Sequence, residues 1–180
     1  MKINHTEMVM TLSKPGEDIL TGLTPTSVHN LHMAVGIAGE CSELFDAFRP
    51  ARVDRGNVKE ECGDIEFYVK GLAVPLSLER WNGAYEPISI HEALSRLVVA
   101  GGAVLDVVKR ESIYGQKLNM EKLTSAIREV DIATCVLARS QGYSRKDYED
   151  ANIEKLGDRY KNFTYTDAAA EARADKDGES

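Results

Sequence analysis

With 180 residues, 43% of them hydrophobic, the chain can bury one full core and does not by itself call for two domains. A formal net charge of −7 argues against a general nucleic-acid binder, since phosphate backbones need a cationic surface. A small phosphorylated ligand stays open, because a bound divalent ion reverses the local sign. Cys41, Cys62 and Cys135 form no CxxC pair and fall inside helical patterns, which reads as small core residues in a reducing compartment. The opening MKINHTEMVM lacks the apolar stretch of a signal peptide, and no later run approaches a membrane span. A cytoplasmic location with no membrane partner is therefore expected.

In chain order, the apolar spacing predicts five helices and no strand. The first runs from about Ser27 to Phe48, with Leu31, Val35, Ala38, Phe45 and Phe48 assigned to one face. The basic loop RPARVDRG follows, with Pro50 as breaker. Asn57 is the expected cap of the second helix, with Glu60 three residues on as in a capping box. Val58, Cys62, Ile65, Val69 and Leu72 form its stripe. The stretch PLSLERWNGAYEPIS, with two prolines and a glycine, reads as a connection. Ser89 with Glu92 opens the third helix, whose stripe is Ile90, Leu94, Leu97, Gly101, Val104 and Val108. The fourth spans about Asn119 to Gln141, carries Leu123, Ile127, Val130, Thr134 and Leu137, and stops at Gly142. Ser144 with Asp147 opens the fifth, which ends near Tyr160. The polar stretch 166–180 is expected to be disordered.

Two antiparallel hairpins, each with one apolar face, bury each other as a four-helix bundle. The expected fold is thus all-α: a bundle-like core of two hairpins plus a C-terminal helix in one domain over 1–165, then a disordered acidic tail. The hairpins also resemble each other weakly, AGECSELFDAF laid over AGGAVLDVVKR and CGDIEFYV over EVDIATCV. In that overlay the second copy keeps Asp131 but has Gly102, Leu105 and Arg128 opposite Glu40, Glu43 and Glu61, which would make it structural.

Those acids carry the chemistry. Glu40 and Glu43 are three residues apart, as are Glu61 and Asp64, so each pair lies on one helix face, one turn apart. Both pairs fall near the ends joined by the short loop, and an antiparallel hairpin brings them close. Two carboxylates about 4 Å apart repel by ~1 kcal/mol in water and by about 4 kcal/mol at an effective dielectric of 20. Convergence therefore calls for a cation, and hard oxygen ligands suit Mg²⁺ or Mn²⁺. The plain alternative is a solvated acidic face. A di-iron bundle is disfavoured, because its usual Glu-x-x-His pairs do not occur. A non-catalytic helical interaction module stays open.

The blocks GIAGECSEL, EECGDIEFYV and DANIEKLGDRY resemble the MazG superfamily of all-helical nucleoside triphosphate pyrophosphohydrolases, which includes dimeric dUTPases, dCTPases and phosphoribosyl-ATP pyrophosphatases. Its E-x-x-E, gap, E-x-x-D signature is matched by Glu40, Glu43, Glu61 and Asp64, and its N-x-x-K-L-x-x-R-Y block by the third stretch. The resemblance covers about 32–76 and 141–163, with an inserted hairpin at about 76–140 that simple members lack. It implies Mg²⁺-dependent cleavage of a nucleoside triphosphate to the monophosphate and pyrophosphate, with Mn²⁺ able to substitute. The substrate would be dUTP, dCTP or dGTP/GTP, or alternatively phosphoribosyl-ATP. Glu40, Glu43, Glu61 and Asp64 would hold the metal, and Glu43 or Glu61 would take a proton from water. A homo-oligomer, dimer or tetramer, is the implied assembly.

Tyr148, Asn152, Lys155 and Arg159 form one stripe on the fifth helix. By spacing alone this is a charged outer face. With the resemblance, Lys155 and Arg159 become phosphate contacts and Asn152 a metal-side or sugar contact. Tyr68, one turn beyond Asp64, would stack on sugar or base or else pack in the core. Arg49, Arg52 and Arg55 in the loop would steer a triphosphate inward or balance the nearby acids. His29 and His32 would line a pocket or pack, and Trp81 in the connection would close over a base or cover the bundle end.

Overall fold

A computed structural model describes residues 3–49 and 53–172. The elements are α1 (His5–Leu12), α2 (Gly16–Gly22), α3 (Pro25–Ala47), α4 (Arg55–Ala73), α5 (Ile90–Tyr114), α6 (Met120–Ser140), α7 (Arg145–Arg159), a 3₁₀ turn (Lys161–Phe163) and α8 (Asp167–Ala172). No strand occurs among the described residues, and no helix there is long and apolar enough to cross a membrane.

The four longest helices form the bundle expected from the sequence. Helix α3 packs between α4 and α5, while α6 packs on α5 and more lightly on α4. Neighbours run antiparallel: Ser112 Oγ donates to the Ser27 carbonyl and Asn30 Nδ2 to Glu111, whereas Gly101 lies against Cys41 further along both helices. Helix α7 lies outside the ring, on α4.

Most helix starts follow cap chemistry. Ser89, Asn119 and Ser144 each accept a backbone N–H from three residues on, as the sequence leads one to expect for Ser89 and Ser144. Gly142, at φ 87°, takes the left-handed conformation just past α6. The second hairpin helix starts earlier than predicted. Asp54, not Asn57, is its cap and accepts the Asn57 N–H at 3.1 Å.

Three further departures have identifiable causes. Helices α1 and α2 precede the first predicted element. Asn4 and Glu7 make a full capping box for α1, yet α1 buries none of its residues, so no apolar stripe announces it. On α3 the buried face is Met33, Ala34, Ile37, Cys41, Leu44 and Ala47, while Val35 (54% exposed) and Phe45 (36%) face outward. The helix meets two neighbours, so its buried arc is wide and half of it is small; Leu31 and Phe48 of the predicted stripe pack at its edge, whereas Val35 and Phe45 do not. Lastly, α8 occupies part of the stretch expected to be disordered, with Thr166 Oγ1 accepting from the Ala169 N–H and an alanine run favouring helix. The remainder, 173–180, lies outside the described residues.

One buried ionic cluster ties the long connection to the bundle. Arg80, from the connection between α4 and α5, donates to Glu66 of α4 at 3.0 Å and to both oxygens of Asp131 of α6. Arg145 of α7 reaches Asp131 at 3.4 Å. Asp131, the acid retained in the weak internal overlay, is thus held by fixed cations.

Candidate functional site

Helix α3 presents Glu40 and Glu43 to α4, which presents Glu61. One carboxylate oxygen from each lies within 4.8 Å of the other two. Glu61 is 6% exposed, Glu40 is half-buried and Glu43 is open to water. Burial pushes the Glu61 carboxyl up to about 8, helped by its hydrogen bond to Glu40 and by the charges of Glu40, Glu43 and Asp64. Burial and the Asp64 charge also raise Glu40, against the pull of the Glu61 hydrogen bond and of Lys155. Burial and crowding with like charge thus oppose ionisation of both Glu61 and Glu40.

The fourth predicted acid, Asp64, stands beside this trio rather than in it. It accepts from Asn152 Nδ2 at 2.7 Å and from Lys155 Nζ at 2.5 Å. Lys155 also reaches Glu60 at 2.7 Å. Burial alone would lower the Lys155 pKa, but the hydrogen bonds to Asp64 and Glu60 win and raise it, so it stays an ammonium. Helix α7 reaches α4 this closely because of Gly63. A Cβ there would stand 2.8 Å from the Tyr148 carbonyl and 2.9 Å from Asn152 Cβ. Gly39, beside Glu40, faces open space and has no such packing duty.

A cavity of about 570 Å³ opens next to the acids. Glu40 and Asp64 border it on one side, Lys155 and Arg159 line it along α7, and Tyr68 and His32 lie on its wall. Tyr68 seats against Gly36, and its ring makes an edge contact with His32 at 6.1 Å between centroids. The structure therefore gathers Glu40, Glu43, Glu61, Asp64, Asn152, Lys155, Arg159, Tyr68 and His32 in one region.

The other sequence candidates lie elsewhere. His29 sits 3.0 Å from the Gly71 carbonyl and packs the two helices together. Arg49 pairs with Asp46 at 3.0 Å on the surface. Arg55 donates to the Gln141 carbonyl at 2.6 Å and lies over the Tyr143 ring, so it caps the end of α6. Trp81 packs on Tyr85 and the core, covering the bundle. None of these four borders the cavity. Arg52 lies outside the described residues.

Two features of the site lie beyond what spacing indicates. Glu60 pairs with Lys155 instead of closing a capping box, and the doubled Glu60–Glu61 is its signal in the sequence. The cavity's outer wall is aromatic, built by Phe67, Tyr160, Phe163 and Tyr165, and the cue was three aromatics within 160–165. Compared with protein-family models, curated proteins and solved structures, the chain matches none.

Proposed function

We propose that this chain is a Mg²⁺-dependent nucleoside triphosphate pyrophosphohydrolase of the MazG type, converting a (deoxy)nucleoside triphosphate and water to the monophosphate and pyrophosphate. The observation that carries the reading is one site combining an under-neutralised carboxylate cluster with two cations along a cavity wall. The donor set fits a hard divalent cation: it is all oxygen, and burial together with its acidic neighbours pushes the Glu61 carboxyl up to about 8, a cost that a bound cation would offset. Glu40, Glu43 and Glu61 would hold the ion, with Asp64 joining from the side of Lys155. Bound there, Mg²⁺ or Mn²⁺ would neutralise phosphate charge and acidify a coordinated water.

The chain's own groups divide the remaining work. Glu43, open to water, takes the proton of the attacking water, and buried Glu61 anchors the site. Lys155 and Arg159 hold the polyphosphate, the former shifting part of its charge from Asp64 to phosphate oxygens. Asn152 keeps Asp64 oriented. Nucleotide-pool control in the cytoplasm, in a homo-oligomer, is the setting that accompanies this reading.

The test is release of pyrophosphate from purine and pyrimidine (d)NTP pools in Mg²⁺, with phosphoribosyl-ATP assayed alongside. Glu43→Gln and Asp64→Asn should stay folded and fall by at least about 10²-fold, the usual scale for loss of a general base or a metal-site group. Substantial residual activity in either, or Mg²⁺ that neither binds nor raises the melting temperature, favours a non-catalytic helical module.

A further inference from the structure

The cavity continues past the charged groups into a wall that the phosphates do not need. Phe67 and Tyr68 come from α4, and Tyr160, Phe163 and Tyr165 from the segment after α7. Phe163 is 69% exposed and Tyr165 68%, while Phe67 is about half exposed. Scattered exposed apolar residues are ordinary, but a contiguous aromatic patch on the rim of a cavity marks a binding surface. The rings already contact one another: Phe67 and Tyr68 at 5.2 Å edge-on, Tyr160 and Tyr165 at 5.6 Å and tilted. The Arg159 guanidinium lies 6.0 Å from the Tyr160 ring, joining the aromatic wall to the cationic one.

The backbone holds this segment in an uncommon shape. Asn162 has φ 58° and Phe163 φ 52°. The left-handed region is unfavourable for a bulky side chain, and two such residues in succession turn the chain sharply back on α7, with Phe163 against Gly157. Strain of this kind persists where surrounding contacts or function over-determine the position.

We propose that the segment from Tyr160 to Tyr165, facing Phe67 and Tyr68 across the cavity, is the subsite for a planar heterocycle, the base of the nucleotide. This rests on the pyrophosphohydrolase reading and deepens it. The subsite grips by stacking, not by reading the base edge. The Tyr165 hydroxyl is already donated to Asp167 at 3.0 Å, leaving its ring as the feature on offer. Every base has a π-face, so a stacking subsite tolerates all four. Phe163 and Tyr165 are then specificity-determining residues for nucleotide over bare polyphosphate.

The experiment uses the full chain with Phe163→Ala, Tyr165→Ala, the double variant and Tyr165→Phe, all at exposed positions. Steady-state kinetics are measured for four dNTPs in Mg²⁺, with inorganic tripolyphosphate as a base-free competitive inhibitor. Base stacking is worth about 1–3 kcal/mol per base, so KM should rise about tenfold for each lost ring, with kcat within about twofold. Tyr165→Phe should match the parent chain, the tripolyphosphate inhibition constant should not move, and the four dNTPs should differ by less than about tenfold. An unchanged KM in the double variant overturns the proposal. So does an equal loss of tripolyphosphate binding, or a preference for one base above about a hundredfold. Saturation-transfer NMR with nucleoside monophosphates in EDTA gives a readout free of turnover. Monophosphate binding lost in the double variant, with no pyrophosphate released by any form, overturns the catalytic reading while keeping the aromatic subsite; absent monophosphate binding to the parent chain overturns the subsite.

Discussion

Glu61 and Glu40 couple the candidate chemistry to stability. The Glu61 carboxyl is raised from 4.5 to about 8 in the folded chain, first by burial and then by its acidic neighbours. A carboxyl raised on folding contributes stability fully present below its unfolded value and lost as pH rises through the folded one. In EDTA the melting temperature should therefore fall between about pH 5 and pH 9. Glu61→Gln should remove most of that slope and stabilise the metal-free chain near pH 9 by about 1–2 kcal/mol, after allowance for water reaching the cluster from the Glu43 side. Mg²⁺ should reverse the trend in the parent chain, because a divalent cation would bind the ionised cluster better than the protonated one. Differential scanning calorimetry at several pH values, with and without Mg²⁺, checks both. A flat profile in EDTA would mean that the three acids do not crowd as described. Residue spacing alone makes the convergence of these acids legible, since the helical period fixes which side chains share a face. It leaves the directions of Arg49 and Trp81 undetermined, because no period governs an irregular loop, and that of Arg55 because its helix starts earlier than the sequence indicates.

Helix-scale packing decides how the cations of α7 reach the acids of α4. Gly63 lets the Tyr148 carbonyl approach to where a Cβ would stand at 2.8 Å, and backbone cannot yield as a flexible side chain can. Gly63→Ala should destabilise by about 1–3 kcal/mol and, by pushing α7 outward, separate Asn152 and Lys155 from Asp64. Gly39→Ala meets nothing within 4 Å and sits inside α3. It should stabilise by up to about 1 kcal/mol, as alanine does in a helix interior. Urea denaturation of the two variants, with Mg²⁺-dependent pyrophosphate release measured on each, separates the roles; both glycines lie in the resembling blocks, yet only Gly63 has steric work. The same physics explains which stripes could be read. On α4 the apolar buried positions Val58, Cys62, Ile65, Val69 and Leu72 keep helical spacing, and the sequence exposes them; on α6 the predicted stripe is buried too, but from Val130 to Ala138 burial extends all round the helix. On α3 the large buried residues, Met33, Ile37 and Leu44, alternate with Ala34, Cys41 and Ala47, which carry little hydrophobic signal, while Val35 and Phe45 advertise an outer face.

Across the whole molecule, the connection between the hairpins acts as a tie rather than a tether. Its Arg80 is the main cation serving two buried acids from different helices, Glu66 on α4 and Asp131 on α6, with Arg145 of α7 completing the cluster. Burial alone would raise Glu66, but the charges of Arg80, Arg145 and Lys70 outweigh it and hold its carboxyl below the usual range. The resulting stability is present above the unfolded carboxyl value and lost as pH falls through the lower, folded one. Arg80→Ala leaves both acids buried with only partial compensation and should cost about 3–5 kcal/mol at pH 7. Arg80→Lys keeps the charge but not the planar fork that bonds Glu66 and Asp131 together, so it should fall between. Acidification distinguishes this ionic tie from loss of packing. As pH falls towards about 3, the parent chain loses what Arg80 supplies to Glu66, whereas in Arg80→Ala protonation of Glu66 relieves a poorly compensated carboxylate. The gap between them, followed by urea denaturation from pH 7 downward, should therefore shrink. A gap that stays constant with pH would assign the effect of Arg80 to its aliphatic stem.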